Sequence, residues 1–200
     1  MGNMTNDYST PAHDRLSPTG WQQADRLAAR LGETAFDTIY VSPLRRALET
    51  ATPYLRQVGR VAEVWPELAE ACWQVDRHAV PPVRRPPPGS FSLDAPRPGP
   101  FVPRPGLFAP RPGPLFWAAL DETYREGLSR VAQVKAMLLE RHAGQREVVL
   151  VVGHEFAGGR LIELLLDVEP LGRLYHANTG LTHLVEGANG AFTARFVNRL

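Results

Sequence analysis

Arg46 and His154 each follow a predicted strand at the point where a helix begins. Ligands of open α/β sheets bind outside the carboxyl ends of the strands. An arginine in the first turn of a helix can hold an anion together with backbone N–H groups, and its guanidinium grips phosphate in a fork. The two residues are therefore a candidate anion site. Each also has a simpler interpretation, Arg46 as one of an exposed arginine pair and His154 as a capping or core histidine.

Glu70 adds a carboxyl group that could act as a general acid. It follows a short predicted strand at 61–64, but a lone glutamate on a loop is more often structural or solvated. Sequence motifs for other kinds of active site are absent. The six histidines show no metal-ligand spacing, and the sequence has no P-loop, nucleophile elbow or dinucleotide-binding glycine motif. We therefore predict neither a metal nor a cofactor.

Hydrophobic periodicity divides most of the chain into alternating helices and strands. The predicted helices are 17–31, 44–58, 121–142 and 156–166, and the predicted strands are 36–41, 61–64, 147–152, 182–185 and 191–197. The unbroken apolar run of the strand at 147–152 is typical of a strand buried on both faces of a parallel sheet. This alternation predicts an α/β fold, a three-layer sandwich with a mostly parallel central sheet.

Composition limits the class of protein and its partners. Two hundred residues with a formal net charge of +1 fit one globular domain, residues 1–200, with no general attraction for nucleic acid or membranes. A single cysteine, Cys72, excludes an intrachain disulfide and favours a reducing compartment. The polar residues 1–15 lack the apolar core of a signal peptide. We therefore expect a cytoplasmic protein.

Residues 81–116 interrupt the alternation of strands and helices. They hold thirteen of the nineteen prolines and three copies of a Pro-Arg-Pro-Gly repeat, beginning at Ala95, Val102 and Ala109. Proline fixes φ and removes backbone donors, so the segment cannot form a helix or a central strand. We predict a low-complexity insertion within the domain, either polyproline-II-like or disordered at the surface.

The order of the motifs resembles that of the histidine phosphatase superfamily, which has the phosphoglycerate-mutase-like fold. The matching motifs are Asp14-Arg-Leu-Ser-Pro-Thr-Gly20 with Gln23-Ala24, Ser42-Pro-Leu-Arg-Arg-Ala47 with Thr50-Ala51, Glu70, Val-Val-Gly-His154, and Ala-Asn178-Thr-Gly. The resemblance covers residues 2–80 and 117–200, which is everything except the proline-rich insertion.

The resemblance implies hydrolysis through a covalent phosphohistidine. In the family, a histidine of an Arg-His-Gly motif at the end of the first strand attacks phosphorus. Two arginines and a second histidine surround the phosphoryl oxygens, and a carboxylic acid protonates the leaving oxygen. By resemblance, Arg46 is the second phosphate arginine, His154 the second histidine and Glu70 the proton donor. Asn6 matches the phosphate-contacting asparagine that follows the first motif.

The Arg-His-Gly motif is incomplete in this sequence. Gly2 aligns with its glycine, so the nucleophile position falls on Met1 and the first strand would lie upstream. Loss of an internal strand leaves its neighbours with unpaired backbone groups and an open hydrophobic slot. We therefore expect the first strand to be missing from the chain as printed. A misassigned start codon, a truncated gene and a natural pseudoenzyme are the three explanations.

Together these observations predict a phosphomonoesterase acting on a small phosphorylated metabolite or phosphopeptide. As printed the chain is expected to be almost inactive, because nothing supplies the covalent step. The alternative is a catalytically dead module that binds phosphate or a partner protein. Mutase activity is less favoured, because the insertion at 81–116 replaces the substrate segment that mutases carry after Glu70. Substrate identity and oligomeric state stay open.

Overall fold

A computed structural model describes residues 14–32, 34–71, 106–111 and 122–200. The four α-helices of these ranges are α1 (Pro18–Leu31), α2 (Arg45–Val58), α3 (Tyr124–His142) and α4 (Glu155–Leu165). The six strands are β1 (Thr38–Val41), β2 (Ala62–Val64), β3 (Phe108–Pro110), β4 (Val149–Val152), β5 (Leu181–Glu186) and β6 (Phe192–Arg199). A single 3-10 turn, Pro66–Leu68, follows β2.

Four strands form a parallel sheet in the order β3-β2-β1-β4, and β5 pairs with β6 in an antiparallel ribbon. The predicted α/β fold with a mostly parallel central sheet is therefore confirmed. The carboxyl ends of β1 and β4 lie side by side, because Val41 is in register with Val152. The residues that follow these two strands consequently meet at one edge of the sheet.

Alternate strand residues pack on opposite faces of the sheet. Ile39 and Val41 join one core cluster with the buried side of α1 and α2, whereas Tyr40 joins a second cluster with α3 and α4. Helices thus cover both faces. This is the arrangement of an α/β sandwich, in which each face of the sheet is buried against a layer of helices.

Local signals fix where the helices begin and end. The Ser17 hydroxyl accepts a hydrogen bond from the Gly20 N–H at 3.1 Å and caps α1. Thr123 and Glu126 form a reciprocal capping box at the start of α3. Gly59 ends α2 in the left-handed region, at φ 64°, which glycine adopts without steric cost. No helix in the described part of the chain is long and apolar enough to cross a membrane.

Most of the proline-rich insertion, 81–105 and 112–116, lies outside the described residues. Within it, Phe108–Pro110 forms β3, so the expected polyproline-II-like or disordered conformation is wrong for these three residues. Among the described strands, β3 pairs only with β2. At this pairing the Ala62 N–H donates to the Leu107 carbonyl at 2.9 Å. An edge strand tolerates proline, and Leu107 and Phe108 pack against the first core cluster.

The environment of β4 also differs from the prediction. All four of its residues, Val149–Val152, are half-buried rather than fully buried. The cause is topological: among the described strands, only β1 pairs with β4. A strand whose composition suits the middle of a sheet therefore lies at an edge.

Candidate active site

His154 is fixed at the carboxyl end of β4 by a hydrogen bond to the neighbouring strand. Its Nε2 lies 2.6 Å from the hydroxyl of Ser42, which directly follows β1 and is completely buried. The Ser42 N–H also donates to the Val152 carbonyl at 2.9 Å. The imidazole is thus positioned by the β1–β4 pairing. His154 is the N-cap residue of α4, but its side chain makes no capping hydrogen bond.

Arg46 lies in the first turn of α2, on the other side of this edge. Its Nη1 forms a short ion pair with Asp14, the residue that opens the described part of the chain. The other carboxylate oxygen of Asp14 accepts from the Arg45 N–H at 2.8 Å, at the start of the same helix. A carboxylate therefore already lies where the guanidinium and the helix terminus together bind an anion.

Glu70 supplies a buried carboxyl group to the same site. Its side chain is 8% exposed. Oε1 accepts hydrogen bonds from the Ala157 N–H at 2.8 Å and from the Ala71 N–H at 3.0 Å. Since Ala157 lies in the first turn of α4, this contact ties Glu70 to the helix that His154 begins.

Arg130, which sequence reasoning missed, holds the Glu70 loop in place. It is 5% exposed and donates to the carbonyls of Glu67, Ala69 and Glu70 at 2.6–3.2 Å. Its Nε and Nη2 also donate to the Glu122 carboxylate, both at 2.7 Å. A single arginine on a helix gives no sequence signal for this role, because the carbonyls it binds are sixty or more positions away.

The pKa values of Glu70 and His154 shift in directions that follow from this environment. Burial raises the pKa of Glu70, although the hydrogen bond from Ala157 and the charge of Arg46 act against it. Loss of hydration, and then the charges of Arg46 and Arg130, hold the pKa of His154 well below its usual value. The site therefore favours the protonated form of Glu70 more than water does, and it favours a neutral His154 imidazole.

Arg46, Glu70 and His154 line one large cavity whose walls extend along the whole of β4. The charge of Arg46 acts on both Glu70 and His154. The sequence prediction named these three residues, and the structure brings them together. Asn178 lines the same cavity, from the loop before β5. Asn6 lies outside the described residues, so its predicted role stays a prediction. Among the described residues, no group of histidine, cysteine and carboxylate side chains could hold a metal ion.

Comparison with protein families decides the class of this chain. The family model "Histidine phosphatase superfamily (branch 1)" matches residues 3–199, almost the whole sequence. The chain belongs to the histidine phosphatase superfamily. The candidate site of this histidine phosphatase family member lies at the carboxyl edge of its parallel sheet, where α/β proteins generally bind ligands. No curated protein sequence matches the chain.

Solved structures share the fold of this superfamily member. A mycobacterial glucosyl-3-phosphoglycerate phosphatase with VO3 has a TM-score of 0.63 and 21% identity, covering 93% of this chain and 87% of that chain. The alpha-ribazole phosphatase from Shigella flexneri has a TM-score of 0.60 and 22% identity, with 92% and 83% covered. A phosphoserine phosphatase mutant from Entamoeba histolytica, in complex with phosphoserine, has a TM-score of 0.58 and 21% identity, with 92% and 84% covered.

Proposed function

We propose that this protein is a phosphomonoesterase that acts through a phosphohistidine on a small phosphorylated metabolite or phosphopeptide. The observation that carries the proposal is the meeting of Arg46, His154 and the buried Glu70 at one edge of the sheet. A guanidinium at a helix N-terminus binds the phosphoryl oxygens, and an adjacent carboxyl group supplies a proton. Phosphoryl transfer depends mainly on such positioning and charge stabilisation.

Each of the three residues has a separate task in this proposal. Arg46 neutralises the phosphoryl group and stabilises the charge of the transition state. His154 contributes a neutral imidazole that can donate a hydrogen bond to a phosphoryl oxygen from Nδ1, because its Nε2 is held by Ser42. Glu70 gives its proton to the leaving oxygen as the ester P–O bond breaks. Its raised pKa keeps a larger fraction of the carboxyl protonated than in water.

The covalent step needs a nucleophilic histidine. In the proposed reaction the imidazole of the nucleophilic histidine, which is not His154, attacks phosphorus. The P–O bond to the alcohol breaks, and the alcohol leaves with the Glu70 proton. Water then attacks the phosphohistidine, the P–N bond breaks, and Glu70 takes the proton from that water. Met1 occupies the aligned position in the printed chain. We therefore propose that the printed chain alone turns over almost no substrate.

The phosphatases with the same fold support the proposed substrate class. Those structures are named as a glucosyl-3-phosphoglycerate phosphatase, an alpha-ribazole phosphatase and a phosphoserine phosphatase. We propose no metal or cofactor for the reaction.

The second candidate function is a binding module that recognises a phosphate group without hydrolysing it. Met1 at the nucleophile position favours it. Hydrolysis of an aryl phosphate, measured for the printed chain and for the chain extended by its upstream in-frame codons, separates the two. Activity in the extended chain alone supports the enzyme. Inactivity in both chains, with inorganic phosphate still bound, supports the binding module, and absence of both activity and binding contradicts both functions.

A further inference from the structure

The described part of the proline-rich insertion, residues 106–111, ends in a buried ion pair. Nη2 of Arg111 lies 2.7 Å from Oε1 of Glu67, and the two side chains are 9% and 0% exposed. The Arg111 N–H also donates to the carbonyl of Val64, the last residue of β2, at 3.1 Å. One arginine of the insertion therefore binds both the end of β2 and the 3-10 turn that follows it.

The ion pair fixes that turn because Glu67 is completely buried. A buried carboxylate keeps its charge only beside a cation or hydrogen-bond donors. Arg111 supplies a cation from forty-four positions further along the chain. Without this guanidinium the buried carboxylate loses a partner, so the turn has to open to water or the carboxylate has to take up a proton.

The insertion has three arginines in the same Pro-Arg-Pro-Gly context, Arg97, Arg104 and Arg111. The third copy follows Leu107 and Phe108, which pack against the first core cluster. The corresponding pairs before the first and second copies are Leu-Asp and Pro-Phe. The apolar Leu-Phe pair therefore explains why the third copy forms β3 and delivers its arginine to the turn.

The turn that Arg111 holds leads directly to Glu70. Arg130 donates from Nη1 to the Glu67 carbonyl at 2.6 Å and from Nη2 to the Glu70 carbonyl at 3.2 Å. This short stretch is thus held through a side chain by Arg111 and along its backbone by Arg130. At its end, Oε1 of Glu70 accepts from the Ala157 N–H at 2.8 Å. A displaced turn would move the Glu70 carboxyl away from this amide.

We propose that Arg111 is a positioning residue whose ion pair with Glu67 holds the Glu70 carboxyl against the first turn of α4. The third copy of the repeat is then part of the scaffold of the candidate site. Proton donation by Glu70 rests on the proposed function, but the position of its carboxyl group does not. Arg111 itself contacts neither the substrate nor the transferred proton in that reaction, and it acts through Glu67.

Hydrogen exchange at one amide reports the position of the Glu70 carboxyl. Ala157 is the third residue of α4, so its N–H has no acceptor within the helix, and Glu70 accepts it instead. The next amide, Gly158, donates to the His154 carbonyl at 2.9 Å and serves as the internal control. NMR follows the exchange of both amides in the parent chain and in variants of the insertion.

The decisive comparison is between Arg111→Met and Arg104→Met, which change the same position in two copies of the repeat. In Arg111→Met we expect the Ala157 amide to exchange about tenfold faster, because Glu70 no longer protects it, while Gly158 changes less than about twofold. In Arg104→Met both amides should keep the parental rates. Arg111→Lys keeps the charge but not the planar fork, so its Ala157 rate should lie between those of the parent and Arg111→Met.

Glu67→Gln tests whether the buried charge is the reason that Arg111 is needed. Glutamine keeps an acceptor for the guanidinium but requires no cation. In the Glu67→Gln background, Arg111→Met should therefore accelerate Ala157 exchange less than it does in the parent. If Arg111→Met alone does not fold, this double variant and Arg111→Lys supply the same comparison.

Three results overturn the proposal. The first is a parental Ala157 rate in Arg111→Met. The second is equal acceleration in Arg111→Met and Arg104→Met, because the ion pair with Glu67 would then have no special role. The third is acceleration of Ala157 and Gly158 by the same factor, which would mean that Arg111 supports only the overall stability. No readout involves phosphate or turnover, so a failed positioning role is distinguishable from a failed phosphatase.

Discussion

The Ser42 hydroxyl lies 2.6 Å from Nε2 of His154 and 3.3 Å from the Leu44 N–H. The hydroxyl oxygen accepts from the backbone, and its proton can be donated to the imidazole. In the tautomer that we assign, Nε2 is the acceptor and the neutral imidazole carries its own proton on Nδ1. One buried serine after β1 therefore orients the histidine after β4.

Replacing Ser42 with alanine should weaken phosphate binding and change the tautomer of His154. A net hydrogen bond is worth about 0.5–1.5 kcal/mol, so we expect roughly twofold to tenfold weaker binding of inorganic phosphate. The ¹⁵N chemical shifts of the His154 ring report the tautomer directly. Ser129→Ala is the control, since Ser129 is exposed on α3 and bonds only its own helix. Unchanged ring shifts in Ser42→Ala would refute the assigned tautomer.

Asp14 pairs with Arg46 and is expected to compete with phosphate at the proposed site. The variant Asp14→Asn keeps a side-chain acceptor for the Arg45 N–H but removes the negative charge beside the guanidinium. Partly exposed ion pairs contribute about 0.2–1 kcal/mol. We therefore expect phosphate to bind about twofold to fivefold more tightly, measured by calorimetry. Weaker binding would mean that Asp14 supports the anion site instead of competing for it.

Glu70→Gln should stabilise the fold at neutral pH and abolish the proposed proton donation. Burial raises the pKa of Glu70 in the folded state. Its stabilising contribution is therefore complete below pH 4.5, the unfolded value, and is lost as the pH rises through the folded pKa. Glutamine keeps the acceptor for Ala157 and does not ionise. Urea unfolding at pH 7 should give a higher free energy for the variant, and no difference near pH 4.

His154 should make the protein less stable as the pH falls. Its folded pKa lies well below the unfolded value of 6.5, so the unfolded state binds a proton that the folded state does not. Stability is then complete above pH 6.5 and decreases as the pH falls below it. Unfolding curves between pH 7.5 and 5 should show a smaller decrease in His154→Gln than in the parent. His183→Gln, at an exposed position on β5, should keep the parental slope.

Arg130→Met should destabilise the fold strongly. The change removes the donors for three loop carbonyls and leaves the Glu122 carboxylate, itself 9% exposed, without its cation. Breaking a buried ion pair in this way costs about 3–5 kcal/mol. Arg125→Met, an exposed change on the same helix, should cost less than about 0.5 kcal/mol. Similar urea midpoints for the two variants would contradict the role given to Arg130.

The sequence predicted most elements because their signals are local. Ser17 and Pro18 at a helix start and the β-branched run at 147–152 determine structure within a few residues. β3 was missed because prolines masked an edge strand. The prediction that β4 is buried on both faces was wrong. An apolar run shows that a strand is suited to a buried position, but it does not show which strands and helices pack around it. Arg130 and Ser42 act across more than sixty positions, which local patterns do not encode.

The most direct test of the phosphate site is calorimetric titration of inorganic phosphate into the printed chain and two arginine variants. Arg46→Met removes the proposed phosphate ligand. Arg45→Met changes its exposed neighbour, which pairs with Glu49. The account predicts saturable one-to-one binding that is at least tenfold weaker in Arg46→Met and nearly unchanged in Arg45→Met. Absence of binding to the parent chain, or equal binding by both variants, would contradict it.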